Sequence, residues 1–464
     1  MANTAQHAPL TQSLAGFIGT FSANALPDNV RDMTLLSVRD GAGALLAAAN
    51  PETSTGRLIA DFAREHGGKA ESTLIGQGAK TDCVSAALAN GTMGYACDME
   101  PHHPEGILHP IAILGPTALA VGERVGASGK SFLAAVALGC EIEYRISMAL
   151  GPAQQYALGF HPSAVCGTFG AAAAAGFLLG LDTQAMVRAF GLAGCQASGM
   201  MAWESDPTEN ARPFQMGMAA RNGVTAALLA GSGFGGPMAI FDHGHTIFHA
   251  FSRDPHPDVL TADLGEKWDG VLELAIKPYS CVSFLHPGLD ALIGLVREED
   301  LKPGDIESLA MRFPRSGVHC IDNNPLRSHC AQYILPVAVA DREVKVGVFF
   351  NDRRLTNPAI ADLSGRVTVI PDDGELEDLF PDFYATIIEV TTRDGRAFTR
   401  RNDIARGYPE TPLSEDDLVA KFTTLASTVA PPDRVDALLT CIAGLPKAAS
   451  LSAYAELLGR PVGT

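Results

Sequence analysis

Two changes of residue pattern divide this chain and limit what it can fold into. Up to about residue 250, apolar residues recur at helical spacing in Ala-rich segments such as 131–148 and 170–181, separated by Gly and Pro. After about residue 270, β-branched runs take over at 366–370 and 385–392. The second is followed by Arg393-Asp394-Gly395-Arg396 and a further run at 397–401, a hairpin signal. Beyond Thr411 helical spacing returns and persists to the end, with Ser414 placed to cap the helix that follows. Helix, then mixed, then helix describes a chain that leaves a first domain and comes back to it. The predicted fold class is α plus α+β: a large all-helical domain built from both chain ends (1–270 and 405–464) with a smaller, lid-like α+β domain inserted at 271–404. A length of 464 residues, too great for one ordinary core, agrees with two domains.

Composition removes several functional classes. With 34 Lys+Arg against 52 Asp+Glu, the formal charge of -18 repels phosphate backbones, which argues against nucleic acid, and any anionic substrate needs a locally basic pocket. The most apolar stretch, 224–241, is cut by Gly231, Gly233, Gly235, Gly236 and Pro237, so it does not read as a membrane span. The start of the chain lacks the basic, continuously apolar character of a signal peptide, and nine scattered cysteines without a CxxC pair fit reduced thiols. A cytoplasmic protein is the expectation. Two nucleotide-like motifs fail on context. Gly231, Gly233 and Gly236 match GxGxxG but follow a helical segment, and Gly129-Lys130-Ser131 ends like a phosphate loop with Arg124 where its opening glycine belongs.

Residues 97–110, CDMEPHHPEGILHP, concentrate acid/base groups in an otherwise Ala-, Gly- and Leu-rich region. Asp98, Glu100, His102, His103 and His109 fall where helical pattern gives way to Pro101 and Pro104, hence on a loop. Taken singly, Glu100, His102 and Glu105 read as solvated turn residues. His109-Pro110 runs straight into the apolar 111–114, and His161-Pro162 has the same setting ahead of another Ala-rich helix. Two such steps could aim two imidazoles, titrating near neutral pH, into one cleft, or could simply start two separate helices. Asp242, His243, His245 and His249 raise a metal site, but spacing supplies no third ligand on a helix weakened by Gly244, so no metal is assigned. Arg212 and Lys277 each precede a proline among apolar residues, where a charge needs an anion: a substrate carboxylate or an internal salt bridge.

These stretches, together with Gly217-Met218-Ala219-Ala220-Arg221-Asn222-Gly223, Gly233-Phe234-Gly235-Gly236-Pro237, and Lys277-Pro278-Tyr279 with His286 beyond, resemble the MmgE/PrpD family, which includes 2-methylcitrate dehydratases, cis-aconitate decarboxylases and iminodisuccinate epimerases. The resemblance implies a large helical domain, a smaller α+β domain, a site at their junction and a homodimer. It also implies chemistry on small di- or tricarboxylates, by removal of a proton next to a carboxylate, without metal or organic cofactor. Asp98, His109, His161 and Lys277 fall on the family's active-site positions, with Arg212, Gln215, His103 and Tyr279 as substrate-binding candidates. Where the dehydratases and the decarboxylase look like Thr-Lys-Pro-Leu-His, this chain has Ala211-Arg212-Pro213-Phe214-Gln215, and Val282 replaces a polar site residue of the decarboxylase. An arginine cannot exchange a proton as a lysine can.

Those departures direct the expectation to a cofactor-independent epimerase of a small imino- or amino-dicarboxylate. In it His109 and His161 or Lys277 serve as opposed acid/base groups, Asp98 orients a histidine and Arg212 clamps a carboxylate. The alternatives are a 2-methylcitrate dehydratase-like hydro-lyase and a noncatalytic carboxylate-binding protein.

Overall fold

In the computed structural model residues 9–463 are described. Residues 1–8, part of the segment read above for a signal peptide, and residue 464 lie outside them. The central element is the helix Pro162–Leu178, whose run Ala171 to Ala175 is wholly buried. A helix apolar on every side belongs inside a bundle, and this one is surrounded by the helices Pro110–Val125, Gly129–Leu150 and Ala211–Gly231. Glycine sets how closely they pack. A Cβ on Gly223 would collide with Ala171 and the Thr168 carbonyl, and one on Gly217 with the Leu88 carbonyl of the helix Cys83–Tyr95. The Arg212 end of Ala211–Gly231 is thereby fixed against Tyr95.

Helix Glu415–Ala426 begins with a capping box, Ser414 and Asp417 each accepting from the other's backbone N–H, and its Phe422 and Leu425 join the same hydrophobic cluster as Leu14, Leu46 and Phe169. A second cluster runs from Tyr279 to Val390 and surrounds a four-stranded sheet. With β1 (Ser72–Leu74) and β2 (Ala79–Thr81) counted first, this sheet contains β3 (Ile306–Pro314), β4 (Val367–Asp372), β5 (Thr386–Thr392) and β6 (Ala397–Asn402) in the order β4-β3-β5-β6. β3 and β4 are parallel, the other pairs antiparallel. The helices His286–Glu298 and Ala331–Asp341 pack on it. The hairpin expected around Asp394-Gly395 is β5–β6, with Thr391 opposite Ala397 and Gly395 at a φ of 87° that favours glycine.

One correction concerns the first 270 residues, which are not purely helical. β1 and β2 form a short antiparallel pair whose turn uses Gly76 and Gly78 at positive φ. No helix among the described residues is long and apolar enough to cross a membrane.

Candidate active site

A cavity of about 330 Å³ lies where the two hydrophobic clusters meet, lined by the 95–109 segment, Trp203, Arg212 and Lys277 on one side and by Ser283, His319, His329 and Tyr384 on the other. The loop 97–109 is not a solvated turn. His102 exchanges backbone hydrogen bonds with Ala275 (3.0 and 2.8 Å) and His103 with Leu108 (2.8 and 3.1 Å), so the loop is stitched into the junction between the clusters. Asp98, Glu100, His102 and His103 are all buried as a result, which corrects the solvated reading of Glu100 and His102. Asp98 and Ile107 sit in the left-handed region (φ 51° and 52°), a strain that surrounding contacts must hold in place.

The charges alternate through space. Arg212 Nη2 donates to Asp98 (3.0 Å), Lys277 Nζ donates to Asp98, and Lys277 Nζ also donates to Glu100 (2.8 Å). Burial alone would raise the Asp98 carboxyl, but Lys277 and Arg212 hold it well below the usual carboxylate range. Burial alone would lower Lys277, yet Asp98 and Glu100 keep its ammonium above the ordinary lysine value. Glu100 has the weaker share of that cation, and burial, opposed by Lys277, pushes it up to about 7.

His109 ends the loop as the residue before the helix Pro110–Val125. Taken with Nδ1 protonated, it donates to Glu100 Oε1 (2.8 Å) and accepts at Nε2 from the Tyr95 hydroxyl (3.1 Å), which in turn accepts from Arg212 Nη1 (2.9 Å). Burial, reinforced by Lys277, holds this imidazole well below its ordinary pKa, so it is a neutral proton acceptor. The Arg212 guanidinium stacks over Tyr95 at 4.5 Å and near Trp203 at 5.4 Å, which leaves its fork facing the cavity wall. Both internal salt bridge and cavity lining are thus true of Arg212 and Lys277.

Several candidates occupy different places from those expected. His161 does not line the cavity. Its Nδ1 pairs with Gln215 Oε1 (3.0 Å), and its ring packs behind Trp203 and Tyr95, 5.8 and 6.4 Å between centroids. Gln215, held also by its bond to the Met200 carbonyl (2.8 Å), is likewise behind the wall. Tyr279 donates to Asp290 (2.7 Å) and lines a separate cavity, because the irregular backbone at Pro278 sends neighbouring side chains to different sides. His103 does line the site, but both ring nitrogens serve the loop: Nδ1 accepts from Gly106 N–H (3.1 Å) and Nε2 meets the Asp269 carbonyl (3.1 Å). Asp98 orients no histidine, since it is occupied by two cations, and Glu100 takes that part. His243, His245 and His249 lie in an exposed segment outside the cavity, and among the described residues no three His, Cys, Asp or Glu side chains group as metal ligands.

The sequence reading missed Tyr95, Trp203 and His329 at the cavity. His329 Nδ1 pairs with Ser328 Oγ (2.8 Å), itself bonded to Glu209. His102, read as wet, turns its ring toward His109 (6.1 Å between centroids), with neither nitrogen partnered among the described residues.

A helical bundle that includes segments from both chain ends, an α+β unit and a cavity of acid/base groups and cations between them describe the fold and its site. Residues 12–260 match the MmgE/PrpD N-terminal domain and residues 279–445 the MmgE/PrpD C-terminal domain, and the chain belongs to this family. It is similar to cis-aconitate decarboxylases from Aspergillus terreus (26% identical, covering 98% of this chain and 96% of the relative), Homo sapiens (28%, 97% and 95%) and Mus musculus (27%, 97% and 94%).

Proposed function

We propose that the protein is a lyase of a small di- or tricarboxylate: it removes a proton next to a carboxylate and expels a group, with loss of water as the first reading. The observation that carries this is the convergence of two cations, Arg212 and Lys277, and the Tyr95–His109–Glu100 hydrogen-bond chain on one cavity. Negative charge grows on the substrate carboxylate as its α-proton leaves, and Arg212 and Lys277 stabilise it. Tyr95 takes the proton while passing its own to His109, and Glu100 stabilises the imidazolium. The C–H electron pair becomes the double bond, and the hydroxyl group departs as water with a proton from Lys277; the imidazolium then gives its Nδ1 proton to Glu100, which passes it to Lys277. Asp98 holds both cations in register.

Loss of carbon dioxide is the second reading, favoured by the decarboxylase relatives that this chain matches along nearly its whole length. Arg212 and Val282 stand against carrying that activity over unchanged. The epimerase reading loses the opposed histidine, since His161 is behind the wall, and the relatives named above are decarboxylases. The resemblance also supports a homodimer, which sedimentation of the full chain checks.

Incubation in deuterated water with citrate, 2-methylcitrate, cis-aconitate and an amino-dicarboxylate tests all of this. A new conjugated acid supports dehydration, and released carbon dioxide supports the second reading. Deuterium appearing at the α-carbon in both configurations, with neither product, would reject the lyase and return the epimerase. Binding without exchange or products would leave a noncatalytic carboxylate-binding protein.

A further inference from the structure

Behind the Asp98–Glu100 turn lies a second cavity of about 220 Å³, bounded by the helices His286–Glu298 and Glu415–Ala426, the segment 342–346 and Arg406. In a chain of charge -18, its lining holds Arg297, Arg342, Lys345, Arg406 and Lys421 against one acid among the described residues, Glu343. The partners of three of these cations, Asp300, Asp290 and Asp40, are outside the lining. Arg297 pairs with no carboxylate among the described residues and donates only to the Arg342 carbonyl (2.7 Å). Lys345 pairs with Glu343 itself, so four of the five cations have a carboxylate, and what remains is an open recess with an electropositive lining in which Arg297 has none; such a recess draws an anion.

We propose that this cavity binds a small oxyanion, a phosphate or polycarboxylate, and that the bound anion acts on the active-site loop from behind. The link is short. Lys421 lines the second cavity with its side chain only 7% exposed, and donates both to Asp40 (2.7 Å) and to the carbonyl of Met99 (2.8 Å), the residue between Asp98 and Glu100. Pro278 and Tyr279, directly after Lys277, form another part of the wall. An anion that draws on the Lys421 ammonium loosens its hold on Met99, in a turn already strained at Asp98. Desolvation holds Lys421 below its ordinary pKa, so an anion has room to strengthen that charge. The binding claim does not depend on which reaction the first cavity performs.

Calorimetric titration of the full chain with inorganic phosphate and with citrate tests it, in the wild type, Arg297→Gln and Arg212→Gln. The expected result is saturable binding of one or both ions that weakens at least tenfold in Arg297→Gln and stays within twofold in Arg212→Gln; the two ions distinguish phosphate from carboxylate. Lys345→Gln, on the exposed rim, is expected to weaken the same binding and serves if Arg297→Gln misfolds. Absence of saturable binding at millimolar concentration, or binding lost only in Arg212→Gln, overturns the site. Amide hydrogen exchange over residues 97–103 is expected to change on adding the bound ion to wild type and not to Arg297→Gln. Binding with no such change overturns the coupling. Failure of the lyase assay leaves every one of these readouts intact.

Discussion

His109 and His161 have the same local sequence logic and opposite fates. Each stands before a proline that begins a long helix, His161 buried and His109 partly so. His109 meets a carboxylate, Glu100, and a cavity-lining phenol, Tyr95. His161 meets the amide of Gln215 and packs behind the aromatic wall, where burial holds its pKa down to about 4. Burial keeps both imidazoles neutral at rest, but only His109 has a phenol that faces the cavity on one nitrogen and a carboxylate on the other, so only it is placed to take a proton in passing. The His-Pro step sets the backbone, and a partner from elsewhere in the fold sets the chemistry.

The comparison can be broken by exchanging the two positions' fates. His109→Gln is expected to lower kcat by about 10²–10⁴, the usual worth of a positioned general base, measured on whichever acid the lyase panel reveals. His161→Gln is expected to stay within about tenfold, because it removes packing and not a proton carrier. Equal losses at the two sites, with both variants folded by circular dichroism, would contradict the division drawn here.

A smaller effect tests the charge array that separates the two histidines. Lys277→Met leaves Asp98 and Glu100 buried with one cation fewer, and breaking a buried pair in this way costs roughly 3–5 kcal/mol of stability. Urea unfolding reads the loss. Adding Glu100→Gln is expected to recover part of it, since the carboxylate whose one lasting cation was Lys277 is then gone. No recovery would mean that Asp98 alone carries the dependence.

What was legible in the sequence follows the same line. The change from 3.6- to 2-residue periodicity and the Asp394-Gly395 turn are local signals, so the helical and α+β parts and the β5–β6 hairpin could be read. β1 and β2, three residues each and joined through Gly76 and Gly78, are too short for periodicity to register. His109, Arg212 and Lys277 stood out because each precedes a proline in apolar text, and Asp98 through the acid/base-rich loop and the family resemblance; all four line the cavity. Glu100 and His102 looked wet because only their loop was visible; the pairing with Ala275, more than 170 positions away, buries them. Tyr95, Trp203 and His329 had no local signal, and Tyr279 was over-read from its closeness to Lys277.

The smallest predicted effect contrasts Glu100, a buried carboxyl with partners, with Glu143, a buried carboxyl without them. Glu143, on the helix Gly129–Leu150, has neither oxygen bonded among the described residues, and burial raises it well above the ordinary glutamate value. Its folded-state pKa exceeds its unfolded one, so its contribution to stability is fully present below the unfolded value, about 4.3, and is lost as pH rises through the folded value. The loss approaches about 1.4 kcal/mol per pH unit within that window. Glu143→Gln fixes the neutral shape. It is expected to match the wild type near pH 4.5 and to exceed it by about 1–3 kcal/mol at pH 7 in urea unfolding. Glu100 loses in the same direction but only until about 7, where Lys277 and His109 accept its charge. Glu100→Gln should therefore alter the pH profile of kcat around neutrality while Glu143→Gln leaves that profile unmoved. A Glu143 variant that shifted the activity profile would place this carboxyl within the proton path, and a stability gain independent of pH would show that its effect is packing and not ionisation.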